Sequence, residues 1–240
     1  MRLNSLRPAA AGLLSILLAA CVAIEQAPSP PREAAPAGFP ENVYLEAAST
    51  APVYRIDSST SLIQIYVYRE GALAKMGHDH AVASRAVRGY ALLPAGLVQA
   101  RADFYFPVAT LSMDEPELRR SASFTSEISA EDIENTRLRM LRLLEADQHP
   151  FVQILAVRAT GTPPDLVLRA ELTLHGVTRA LNLQAKLRVD DGRFSIDGET
   201  DILQTDYSIT PFSVLGGALA VKDPLRVIFR IEGVRVGTGG

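Results

Sequence analysis

Over residues 165–175 apolar and polar side chains alternate. Leu166, Leu168, Ala170, Leu172 and Leu174 share one face, and Arg169, Glu171 and Thr173 share the other. A period of two is the repeat of a half-buried strand. The same alternation sets Leu181, Leu183, Ala185, Leu187 and Val189 against Asn182, Gln184, Lys186 and Arg188. It recurs with Leu225, Val227, Phe229 and Ile231 against Arg226, Arg230 and Glu232, and with Ile63, Ile65 and Val67 against Gln64 and Tyr66. Further strands are predicted over 82–93, 97–106, 151–160 and 194–203, which makes eight. Turn chemistry separates them, as in Pro94-Ala95-Gly96, Gly161-Thr162-Pro163-Pro164, His175-Gly176 and Asp190-Asp191-Gly192. Connections this short make neighbours antiparallel. Eight such strands hide their edges by closing into a barrel, whose interior is either filled by side chains or hollow enough for one small ligand.

The one long interruption lies between Leu111 and Pro150. There Ser129 is placed to cap a helix that begins with Glu131 and Asp132, and Ile133, Leu138, Leu141 and Leu144 recur at rough helical spacing. The expected architecture is all-β: an eight-stranded antiparallel barrel with one or two short helices in a long insert, lying over the barrel or plugging one end.

Ahead of this domain the pattern is different. Arg2 and Arg7 precede an apolar or small stretch from Ala9 to Ala20, about a dozen residues against the ~20 that span a bilayer, so residues 1–20 read as a cleavable export signal. Leu18-Ala19-Ala20-Cys21 resembles the lipobox of bacterial lipoproteins, which makes Cys21 the expected lipid anchor. Val22 stands where an Asp would favour inner-membrane retention, so the expected location is the outer membrane, facing the periplasm. Residues 21–52 carry Pro28, Pro30, Pro31, Pro36, Pro40 and Pro52 among many alanines and read as a tether, with 43–45 the part best suited to dock. The domain proper is expected over 53–236, followed by a flexible tail at 237–240.

Composition narrows the function classes. The chain of 240 residues is 48% hydrophobic and 21% charged, an ordinary globular balance. Its formal charge of −3 supplies no basic surplus for a nucleic-acid partner. A single cysteine excludes an intrachain disulfide, a four-thiolate zinc site and a CxxC pair. The sequence contains no GxSxG elbow, phosphate-binding P-loop, GxGxxG or HExxH.

Two features remain as candidate sites. The inward faces of the predicted strands present Ile63, Ile65, Val67, Phe104, Phe106, Leu168, Ala170, Leu172, Leu183, Ala185, Leu187, Val227 and Phe229 as a lining without charge. The small residues Ala102, Ala170, Ala185 and Gly198 either leave room for an apolar ligand or let the walls approach. The second feature is Gly77-His78-Asp79-His80. In extended chain His78 and His80 point to the same side and can share a metal, with His149, His175, Asp79, Glu70 or Asp103 as third ligand. The competing reading gives both imidazoles and Asp79 a polar role at a strand entry or barrel mouth. His175 reads as turn chemistry beside Gly176, and Arg119-Arg120 as a phosphate-headgroup contact or a solvated pair.

Four segments together resemble a known family. They are Tyr54-Arg55-Ile56-Asp57-Ser58, His149-Pro150-Phe151, Leu172-Thr173-Leu174-His175-Gly176-Val177-Thr178-Arg179 and Thr205-Asp206-Tyr207-Ser208-Ile209. They are similar to segments of the YceI-like, or polyisoprenoid-binding, domain. That resemblance implies a lipocalin-like barrel, exported or periplasmic, that sequesters a long isoprenoid chain such as a quinone or polyprenyl phosphate tail. The Gly77–His80 run then marks a subgroup whose role the resemblance leaves open. Three readings follow: an isoprenoid-lipid carrier with no catalytic residue, a metal-dependent enzyme or divalent-metal binder using His78 and His80, and a structural lipoprotein with a solid core. The expected partners are the isoprenoid lipid and, through the anchor, a membrane. Monomer and homodimer both stay open.

Overall fold

A computed structural model describes residues 35–97 and 99–237. The export signal expected over 1–20, the anchor at Cys21, the first part of the tether and residues 238–240 of the tail lie outside the described residues.

The strands in chain order are β1 (Val53–Ile56), β2 (Leu62–Val67), β3 (Arg69–Glu70), β4 (His80–Ser84), β5 (Arg88–Leu92), β6 (Arg101–Pro107), β7 (Ser112–Met113), β8 (Phe151–Thr162), β9 (Asp165–Leu174), β10 (Val177–Asp190), β11 (Arg193–Leu203), β12 (Ser213–Val214), β13 (Leu219–Val221) and β14 (Pro224–Arg235). Eight of them close an antiparallel barrel in the order β1-β5-β6-β8-β9-β10-β11-β14, with β14 returning to β1. Along β9 every second residue from Leu166 to Leu174 is buried, so the period-two pattern marks the wall that faces inward.

The wall is split where the predicted strands were continuous. One edge of β14 runs unbroken along β11, whereas the other is shared: Val227 stands opposite Ile65 of β2, and Val234 opposite Arg55 of β1. The stretch predicted as one strand over 82–93 is likewise two, β4 and β5, separated at residues 85–87. The Ser58 hydroxyl, in the gap between β1 and β2, donates to the Val87 carbonyl at 2.9 Å and ties the two breaks together. The inner face of β4 meets the barrel interior, while its outer face packs Ala81 and Ala83 against Tyr66 and against Leu118 of a short helix. A strand covered on both sides reads as an apolar run without alternation, which hid the break.

Among the described residues three α-helices accompany the barrel: α1 (Glu41–Ala47), α2 (Pro116–Ser121) and α3 (Ala130–Leu143). The last two occupy the long insert, and the Ser129 hydroxyl caps α3 by accepting from the Asp132 amide at 3.1 Å. The extended tether expected through residue 52 is corrected by α1. Alanines and glutamates favour helix there, and Tyr44 drives it onto the barrel. Its ring stacks on Tyr90 at 5.5 Å and its hydroxyl donates to Asp103 at 2.5 Å, while Val43 and Leu45 face outward. Among the described residues, structure packed on the barrel therefore extends ahead of residue 53 to include α1.

Candidate functional site: an apolar cavity with a polar rim

The barrel is hollow. Its cavity holds about 880 Å³, within the range of sites that enclose small ligands. Strands β8, β9 and β10 contribute apolar side chains alone, from Val152 through Leu187. Polar groups are concentrated elsewhere, on α3 (Asp132, Asn135, Thr136, Arg139 and Arg142) and on the segment holding Arg69, His78 and His80. Helix α3 thus forms part of the cavity wall, and Arg139 reaches the ring of Phe212 at 4.8 Å. The volume disagrees with a solid core.

Twelve of the thirteen predicted lining residues, from Ile63 to Phe229, face this cavity; Ala185 does not. Ala185 is buried, but its cross-strand neighbour is Gly198, and the Phe229 ring fills the space beside that glycine. A Cβ on Gly198 would lie 2.5 Å from Phe229 Cζ. Of the four small residues, Ala102 and Ala170 open onto the void, whereas Ala185 and Gly198 let a wall close in.

Extended backbone does turn His78 and His80 to the cavity side and Asp79 away from it. The Asp79 carboxylate accepts from the Arg69 amide at 2.9 Å. His80 donates from Nδ1 to Asp114 Oδ2 at 2.6 Å. Asp114 Oδ1 accepts from the Ala81 amide at 3.0 Å and from Arg119 at 2.7 Å. Burial pushes the Asp114 carboxyl upward, but the hydrogen bonds from His80, Ala81 and Arg119 outweigh it and hold the group below its ordinary value.

This network corrects two expectations. Arg119 is buried, and its guanidinium is spent on Asp114, the Asp79 carbonyl and Ser126, so it offers no fork to a phosphate; Arg120 is exposed. Among the described residues no predicted third ligand joins His78 and His80, whose ring centroids stand 6.5 Å apart. Asp103 lies beneath α1, held by Tyr44, Arg101 and the Ala156 amide. Glu70 is exposed on β3, and His149 and His175 meet each other elsewhere. Asp114 was missed because its link to His80 spans 34 residues; the one local trace is an aspartate, a residue type tolerant of its φ of 56°, just ahead of Glu115-Pro116.

A family model described as the YceI-like domain matches residues 54–233. No curated protein gives a significant sequence match. The fold is similar to that of BcnA from Burkholderia cenocepacia, with a TM-score of 0.51 and 13% identity over 74% of this chain and 98% of that one. It is also similar to a polyisoprenoid binding domain from Saccharophagus degradans implicated in plant cell wall breakdown, with a TM-score of 0.50 and 13% identity over 76% of this chain and 98% of that one. At that identity the likeness concerns the fold.

Proposed function

The chain belongs to the YceI-like domain family, and on that premise we propose that its barrel binds a long isoprenoid lipid of quinone or polyprenyl type, sequestering or carrying it at the bacterial envelope. The observation that carries this reading is the cavity of about 880 Å³ with three consecutive strands of purely apolar lining. An isoprene unit has five carbons, and at ~0.8 kcal/mol per buried methylene each unit contributes about 4 kcal/mol before ordering costs are subtracted. Several units in that cavity bind without any catalytic group. The polar residues of α3 and the 69–80 segment are placed to meet a headgroup while the chain lies against β8, β9 and β10. The polyisoprenoid-binding domain of Saccharophagus degradans, similar in fold, supports the same ligand class.

Delivery to the outer membrane is part of the proposal and rests on Arg2, Arg7 and the Leu18–Cys21 run. Cys21→Ser then abolishes lipid labelling and membrane association. For the ligand, the test is mass spectrometry of lipids extracted from the purified protein. A prenyl species at near one per chain supports carriage, and repeated preparations free of prenyl lipid would sink it.

A further inference from the structure

Glu145, His149 and His175 converge outside the cavity, and we infer that they form a divalent transition-metal site suited to zinc. Each offers a ligand atom within 4.8 Å of the other two. Glu145 Oε2 lies 3.6 Å from His175 Nε2 and 3.8 Å from His149 Nε2. Zinc bonds of ~2.0–2.2 Å in a tetrahedron set ligand atoms roughly 3.3–3.6 Å apart, so the carboxylate needs to close on each imidazole by only a few tenths of an ångström.

The backbone builds this convergence from two directions. Just past α3, where Glu145 turns left-handed at φ 47°, the His149 amide donates to the Glu145 carbonyl at 2.8 Å, closing one turn of backbone between the two residues. His175 occupies the first central position of the two-residue turn between β9 and β10. Its φ is 51° and that of Gly176 is 73°, the pair of left-handed residues that such hairpins require. Asparagine or aspartate commonly fills that first position, so the histidine is a choice that turn geometry alone does not demand. A Cβ on Gly176 would lie 2.6 Å from His149 Cε1, so the glycine also leaves room for the second imidazole.

The hydrogen bonding of His175 prepares it as a ligand. Its Nδ1 is 3.0 Å from the Tyr207 carbonyl, which only accepts, so Nδ1 is the donor and Nε2 is the nitrogen left to ligate. That Nε2 is buried with no hydrogen-bond partner and faces the Glu145 carboxylate, a second acceptor. Two acceptors facing one another call for a cation between them. A backbone carbonyl holding the far nitrogen is also the arrangement that orients histidine ligands in metal sites. The fourth position is left to water. Because Leu143, Leu144 and Leu174 line the cavity, an ion here would cross-link the end of the insert to the β9–β10 hairpin at the cavity wall.

The test is calorimetric titration of the metal-free full chain with zinc chloride alone, with cobalt(II) absorption as a report on tetrahedral geometry. The expected result is one ion per chain and a zinc-dependent rise in Tm. Glu145→Gln and His175→Gln each weaken binding at least tenfold, and His78→Ala leaves it intact. Glu145 is half exposed, so Glu145→Gln reads out metal binding in a folded chain. Absence of stoichiometric zinc, or its loss in the His78 variant instead, overturns the assignment.

Discussion

The imidazole of His80 and the carboxylate of Asp114 meet at 2.6 Å, and the opposite oxygen of that carboxylate takes the Arg119 guanidinium at 2.7 Å. The Asp114 side chain is fully buried and that of Arg119 nearly so. Removing one partner of a buried pair leaves the other charge uncompensated, which costs about 3–5 kcal/mol. Asp114→Ala should therefore lower the unfolding free energy measured in urea by an amount of that order. A change under ~1 kcal/mol would contradict the role given to this network.

The same carboxylate gives a pH signature. Its folded value lies below the ordinary 3.8. A group depressed in the folded state contributes stability that is fully present above its unfolded value and is lost as pH falls through the folded one. The stability gap between wild type and Asp114→Asn should thus be constant from neutral pH down to about pH 5 and narrow below pH 4. Chemical denaturation across that range measures it, and a gap that stayed constant to pH 2 would be inconsistent with the network.

Tyr44 fixes α1 to the barrel through Asp103. Burial, with Asp103 alongside, pushes the hydroxyl well above the ordinary tyrosine range, so it remains a donor at any pH where the protein is folded. Tyr44→Phe removes one hydrogen bond to a charged acceptor and should cost ~1.5–3 kcal/mol in urea. Asp103 keeps Arg101 and the Ala156 amide, so the barrel itself stays folded. An unchanged midpoint would show that α1 adds nothing to the domain.

How far the sequence foretold these features depended on the range of the interactions. Strands β9, β10, β11 and β14 were legible because one face meets the cavity and the other water, so burial is written in every second residue. Strand β4 was foretold only as part of a longer strand running on into β5, because α2 covers its outer face and its apolar run shows no break. Tyr44 was hidden in a segment whose prolines dominate its composition, and a single aromatic residue gives no period. Twelve cavity residues could be named from alternation, yet the cavity's existence could not: Ala170 and Ala185 look alike in sequence, but Ala170 opens onto the cavity while Ala185 lies across from Gly198, whose space the Phe229 ring takes. The meeting of Glu145, His149 and His175 depends on a hairpin turn and a helix end far apart in the chain.

Ala170, at the middle of β9, opens onto the cavity. Ala170→Phe should place a ring in the void, lowering prenyl-lipid affinity at least tenfold while overpacking costs no more than ~1–3 kcal/mol. Binding assays beside thermal melts separate the two effects. Full affinity in a folded variant would place the ligand elsewhere.

His78 carries a buried Nδ1 with no hydrogen-bond partner. Leaving such a group buried costs about 1–3 kcal/mol, so His78→Leu should keep or raise Tm. A marked fall would reveal a partner for that nitrogen.

A hollow apolar barrel that receives an isoprenoid chain must respond to the length of that chain. Prenyl alcohols of increasing length should be titrated into delipidated protein. Affinity should rise by at least about tenfold per added isoprene unit, then level off once the cavity of about 880 Å³ is full. Affinity independent of chain length, or no binding at any length, would mean that the barrel does not take up an isoprenoid.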